Sequence, residues 1–128
     1  LRRRAELAAL YAAELAAVEG LVLPRSLAGA EPVWQSYVVL LPASVSRDAV
    51  ARRLREDGIE ATLGTHAVSA QPHYQARARR LSASLRAYET SLSLPLHPRL
   101  SDADVRRVAS ALRAALRGAG EARGADGA

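Results

Sequence analysis

The apolar residues of this chain change their spacing several times along its length, and that alternation restricts the fold more than any other feature. Leu7, Leu10, Tyr11, Leu15 and Val18 recur at three- and four-residue intervals, which predicts an amphipathic helix over residues 2–19 closed by Gly20. Arg2 to Arg4, Glu6 and Glu14 occupy its wet face. LVLP allows a brief extended piece, and PRSLAGAEP, with two prolines and a glycine, reads as a loop. VWQSYVVLL, residues 33–41, is rich in β-branched and aromatic side chains and predicts a strand ended by Pro42.

Ser46 is placed to cap a second helix, with Val45 before it and Val50 after it at the spacing of a hydrophobic staple. Val50 and Leu54 would face the core, Arg52, Arg53 and Arg55 water, and Gly58 would end the helix. Ile59 to Leu63 predicts a short strand. Leu81, Leu85, Tyr88 and Leu92 mark a third helix, after which SLSLPLHP returns to period two through Leu92, Leu94 and Leu96. Its prolines suggest an edge strand.

Ser101 and Asp104 form a capping box for the last helix, whose buried stripe is Val105, Val108, Leu112 and Leu116. Arg113 and Arg117 fall in its final turn and Gly118 is its expected stop. The remainder has little to bury, so the folded domain is expected over residues 1–117 and a disordered tail over 118–128. Helices thus alternate with short strands. The fold class expected is α+β: a small, mainly antiparallel sheet of three to four strands with helices packed on one face.

A chain of 128 residues fits one domain. With no Phe or Met and a single Trp, its core must be built from finely divided aliphatic side chains. The absence of cysteine excludes disulfides, thiolate nucleophiles and iron–sulfur clusters, and a cytoplasmic location is expected. No apolar run approaches the ~20 residues that span a bilayer, and the LRRR start lacks the apolar stretch of a signal peptide, so no membrane partner is expected.

The net charge is +5, and all 18 basic residues are arginine. A basic balance suits an anionic partner, but these arginines are dispersed among Asp and Glu, as on solvated helix faces, which argues against nucleic acid. Chemistry-bearing motifs are scarce. His66 and His73 share a loop at a separation that matches no common zinc spacing, and His97 lies apart. Ser69 is in no G-x-S-x-G turn, and neither a GxGxxG nor a Walker pattern is present. Glu56 and Asp57 fall at the end of an amphipathic helix as solvated carboxylates, and Trp34 reads as core.

One polar loop, GTHAVSAQPHY at residues 64–74, is not explained by any of these. The succession RRAELAALY, EGLVLP, VWQSYVVLLP, SRDAVARRLREDGIEA, GTHAVSAQPHY and SLSLPLHPRLSDADVRRVASALRAAL resembles the C-terminal small domain of the DegT/DnrJ/StrS family of nucleotide-sugar aminotransferases. It runs from Arg3 to about Leu116, in the family's order and with similar gaps. The resemblance implies a pyridoxal-phosphate-dependent transaminase of the aspartate-aminotransferase fold type. Its members move an amino group, usually from glutamate, to a keto sugar attached to a nucleotide, and they act as homodimers. The coenzyme is held on a lysine of a large N-terminal domain and paired through its ring nitrogen with an aspartate there.

This chain contains no lysine, so it cannot hold the coenzyme covalently through a side chain, and by itself it is expected to be inactive. The family's loop commonly reads GVHYPPLHLQPAY and reaches toward the active-site cleft. Gln71, Pro72 and Tyr74 keep that pattern, Gly64 and Thr65 stand for the usual HY pair, Ser69 holds the place of the later histidine, and His66 that of a proline. The resemblance therefore implies Thr65, His66, Ser69, Gln71 and Tyr74 as candidate substrate contacts, with no catalytic, cofactor-binding or metal-binding residue in this chain. Without the resemblance, a stand-alone ligand-binding or regulatory α+β module, or an arginine-rich nucleic-acid-binding protein, would fit the same composition.

Overall fold

The computed structural model describes residues 1–72, 74 and 82–125. Among them it has four α-helices and three short strands: α1 (Arg2–Leu15), β1 (Tyr37–Leu40), α2 (Arg47–Glu56), β2 (Thr62–Leu63), α3 (Ser82–Thr90), β3 (Ser91–Leu94) and α4 (Asp102–Ala125). A single 3-10 turn, Val68–Ala70, lies between β2 and α3. The class is α+β, as expected.

β3 is the central strand, with β1 and β2 both antiparallel to it on either side. This corrects the expectation of an edge strand. Pro95 follows the last ladder residue, so its missing N–H removes no inter-strand bond. The unit β1–α2–β2 is therefore a crossover whose two parallel strands are separated by β3. Val22 exchanges both backbone hydrogen bonds with Leu40 at 2.9 Å, and so covers part of the outer edge of β1.

One face of the sheet carries Tyr37, Val39, Leu92 and Leu94, all buried, with Tyr37 opposite Leu94 and Val39 opposite Leu92. These join Leu7, Tyr11 and Leu15 of α1, Val50 and Leu54 of α2, and Val105, Val108 and Leu112 of α4 in one core. Both α1 and α2 pack on α4. Three aromatic rings form a row within this layer: Tyr11 stacks on Tyr37 at 4.9 Å between centroids, and Trp34 on Tyr37 at 5.9 Å. Tyr11 donates its hydroxyl to Pro95 O at 2.9 Å, whereas the buried Tyr37 hydroxyl has no hydrogen-bond partner among the described residues. Burial raises the pKa of both phenols, that of Tyr37 to about 12.

Several element limits differ from the expectations. α1 stops at Leu15 rather than Glu19; turns follow, closed by Val18 N–H to Leu15 O and Leu21 N–H to Val18 O, and Gly20 has a φ of 74°. β1 begins at Tyr37 rather than Val33, because Trp34 has a φ of 48°, which no ladder residue adopts. β2 is only Thr62–Leu63. Leu92 belongs to β3 rather than α3, and the expected helix position Leu81 falls outside the described residues. α4 does not stop at Gly118 but continues to Ala125. Where nothing crowds the backbone, as at Gly118, a glycine only weakens a helix and does not have to end it.

The expected caps are present. Ser46 Oγ accepts the Ala49 N–H at 3.3 Å. At α4 the Ser101 and Asp104 groups bond reciprocally, at 2.8 Å to the Ser101 N–H and 3.1 Å to the Asp104 N–H. The Ser101 hydroxyl, which donates to Asp104 Oδ2 at 2.7 Å, and then the Ser101 N–H hold the Asp104 carboxyl below its usual range. No helix among the described residues is long and apolar enough to cross a membrane.

Candidate functional site

The loop at residues 64–74 leaves β2 and is fastened to β3 within two residues. Gly64 N–H donates to Ser91 O at 3.4 Å, and Thr65 N–H to Ser91 Oγ at 3.1 Å. The Ser91 hydroxyl is withdrawn from solvent, and this bond gives it its reason to be there. A Cβ added to Gly64 would stand 2.5 Å from Val38 Cγ1 and 2.8 Å from Ser91 Cβ, so only glycine allows the loop to lie this close to the second face of the sheet.

Beyond this root, Ala67 turns inward and the 3-10 turn follows, with Ala70 N–H to Ala67 O at 3.0 Å and Gln71 N–H to Val68 O at 3.0 Å. Tyr74 N–H then donates to Gln71 O at 2.9 Å. The backbone is thus ordered by short-range bonds. Thr65, His66 and Tyr74 are exposed, and Gln71 is half-buried. Ser69 is half-buried, and its buried hydroxyl has no hydrogen-bond partner among the described residues. All five candidates belong to this one loop; His73 lies outside the described residues.

Residues on other elements support the loop. The His66 ring lies 6.3 Å from that of Tyr88, tilted by 33°. Arg47, the first residue of α2, places its guanidinium 5.6 Å from the Tyr88 ring centre and donates to Tyr88 O at 2.7 Å. Neither Ser91, Tyr88 nor Arg47 stands out in the sequence as a site residue. Ser91 and Ser93 look like the wet side of an alternating strand, and only the register reveals that one of them lies beneath Gly64. Arg47 looks like one more solvated helix arginine.

His97 is elsewhere, in a cleft of about 350 Å³ with Asp104, Arg107 and Pro95, which no described loop residue lines. A second cleft, of about 530 Å³, lies between the turn at Val18–Gly20, the Pro42–Val45 segment and Arg113, Leu116 and Arg117 of α4.

The loop's side chains are hydroxyls, an imidazole, a carboxamide and a phenol. They can donate and accept hydrogen bonds, and none is a primary amine. Such a set can bind and orient a polar ligand; it cannot form an imine.

The model of the DegT/DnrJ/EryC1/StrS aminotransferase family matches residues 1–113. The chain belongs to that family. It is 34% identical over 116 residues to dTDP-4-dehydro-2,3,6-trideoxy-D-glucose 4-aminotransferase of Saccharopolyspora spinosa, covering 91% of this chain and 30% of the relative. Among solved structures it matches the aminotransferase TlmJ from Streptoalloteichus hindustanus with a TM-score of 0.84 and 39% identity, over 92% of this chain and 32% of that one. It also matches S. venezuelae DesV, solved in complex with a ketimine intermediate, with a TM-score of 0.75 and 31% identity, over 88% of this chain and 31% of that one. The chain therefore spans about a third of the length of these members of the aminotransferase family.

Proposed function

We propose that residues 1–117 form the small domain of a pyridoxal-phosphate-dependent nucleotide-sugar aminotransferase. Its reaction is amino transfer from glutamate to a nucleotide-linked keto sugar, carried out in the cytoplasm by a homodimer whose large domain bears the coenzyme lysine. The observation that carries this reading is the family match over residues 1–113, joined to a fold likeness to TlmJ at a TM-score of 0.84. The Saccharopolyspora spinosa relative, a 4-aminotransferase of a dTDP-linked keto sugar, supports the substrate class.

The coenzyme supplies the electron sink of such a reaction. With no lysine in this chain, covalent anchoring is assigned to the large domain. The role left to this chain is positional. The loop at residues 64–74 is read as the small-domain wall of the cleft, with Thr65, His66, Ser69, Gln71 and Tyr74 as contacts to the sugar nucleotide. Polar side chains on a loop whose root is clamped to a central strand suit that task. The Ser69 hydroxyl, without a partner among the described residues, keeps a hydrogen-bonding capacity that a ligand or a bound water would satisfy.

A chimera tests both parts of the reading. Residues 1–117 replace the corresponding segment of TlmJ, and amino transfer is followed with glutamate and dTDP-linked keto sugars. Activity is expected, and single alanine substitutions at the five loop positions should lower kcat/KM by about tenfold (~1.4 kcal/mol) at one or more of them. Unchanged kcat and KM at all five would remove the loop from the cleft. Turnover by the 128-residue chain unaided would overturn the division of labour.

A further inference from the structure

We infer that Arg47 and Tyr88 are positioning residues that set the direction in which the His66 imidazole is presented at the loop rim. The functional consequence rests on the loop being a cleft wall; the geometry does not. Tyr88 is in the last turn of α3, where backbone carbonyls lack intrahelical partners. Arg47 reaches across from the first turn of α2 and satisfies one of them, donating to Tyr88 O at 2.7 Å. The same guanidinium lies 5.6 Å from the centre of the Tyr88 ring and is also paired with Asp48 at 2.7 Å. Its side chain is only 15% exposed, so the group is fixed in place and desolvated on the ring side.

Arg47 therefore grips Tyr88 through both backbone and ring, and Tyr88 in turn meets His66 with centroids 6.3 Å apart, within the range of tilted aromatic pairs. Three residues along the chain from Tyr88, Ser91 holds the Thr65 N–H. The short span from Tyr88 to Ser91 thus touches two consecutive loop residues, once through a ring and once through a hydroxyl. Thr65 is secured at its backbone, while the exposed His66 side chain has the Tyr88 ring as its observed support. Without Arg47 that ring could adopt other rotamers, and His66 would lose its reference surface.

The test uses the intact 128-residue chain and nuclear Overhauser effects between aromatic protons. A cross-peak between the His66 imidazole and the Tyr88 ring is expected in the wild type and in Tyr88→Phe, which keeps the ring. Arg47→Ala should weaken it at least twofold and move the His66 resonances toward their positions in Tyr88→Leu. The Tyr11–Tyr37 cross-peak, which reports the core, should be unchanged throughout. If Arg47→Ala does not fold, Arg47→Gln, which retains a donor for the Tyr88 carbonyl but no cation over the ring, is read by the same criterion. An undiminished His66–Tyr88 cross-peak in the folded Arg47 variant, or none in the wild type, overturns the inference. An intact stack with a kinetically silent His66→Ala in the chimera would instead count against the loop's function, so the two failures are distinguishable.

Discussion

Gly64 and Ser91 decide how the candidate loop begins. A Cβ at position 64 would crowd a Val38 methyl and the Ser91 Cβ, and the latter, fixed to the β3 backbone, cannot move away without shifting the ladder. Gly64→Ala is expected to cost about 1–3 kcal/mol, the usual range for overpacking, and urea denaturation should show it as a lower midpoint with an unchanged slope. Ser91→Ala removes the acceptor of the Thr65 N–H and should cost about 1 kcal/mol by the same measurement, with faster amide exchange at Thr65. Trp34 is a different case, since a left-handed backbone at a bulky residue is strained and persists only because stacking on Tyr37 holds it.

At the scale of elements, the arginines have a common use that composition concealed. Arg113 of α4 donates to Glu14 O at 2.7 Å, where α1 ends; Arg107 of α4 donates to Asp57 O, where α2 ends; and Arg47 does the same for Tyr88 O in α3. Each places a cation and a donor at the negative end of a helix that belongs to another element. Arg3 adds a bond to Leu100 O at 2.9 Å and an ion pair with Asp102 at 2.8 Å, tying the start of α1 to the start of α4. These bonds give four of the 18 arginines a structural role. Arg113 Nη1 makes the bond to Glu14 O and lies 3.7 Å from the Glu14 carboxylate; Arg113→Lys keeps the charge but not the planar, pre-organised donor, and it should lower stability by about 1 kcal/mol in thermal melts.

The α4 cap makes a pH-dependent prediction. Because the Ser101 bonds depress the folded-state pKa of Asp104, the resulting stabilisation is present above the usual aspartate range and lost as pH falls through the folded value. Ser101→Ala should therefore lower the melting temperature near neutral pH, and the gap to the wild type should narrow in strong acid without closing, because the bond from the Asp104 N–H to Ser101 Oγ does not depend on the carboxylate.

Over the whole molecule, burial of Tyr11 and Tyr37 couples the core to alkaline pH. Both phenols are raised in the folded state, so their contribution is complete below the ordinary tyrosine value near 10 and declines as pH rises toward about 12. Ionisation of Tyr11 and Tyr37, monitored by tyrosinate absorbance, should accordingly coincide with loss of the far-ultraviolet helix signal. Their ionisation while the helices remain intact would show that the ring row is more open than its burial indicates.

Much of this protein was legible in order and periodicity. The caps at Ser46 and Ser101, the inward residues of α1, α2 and α4 and the α+β class all follow from local chemistry, because a cap or an amphipathic stripe depends on neighbours within four residues. The candidate loop was also recognisable, since Gln71, Pro72 and Tyr74 keep a family pattern. Tertiary structure alone made β3 the centre of the sheet and brought Ser91, Tyr88 and Arg47 to the loop. Those outcomes rest on contacts between residues distant in the chain, where strand register and the reach of an arginine, rather than spacing, decide which groups meet.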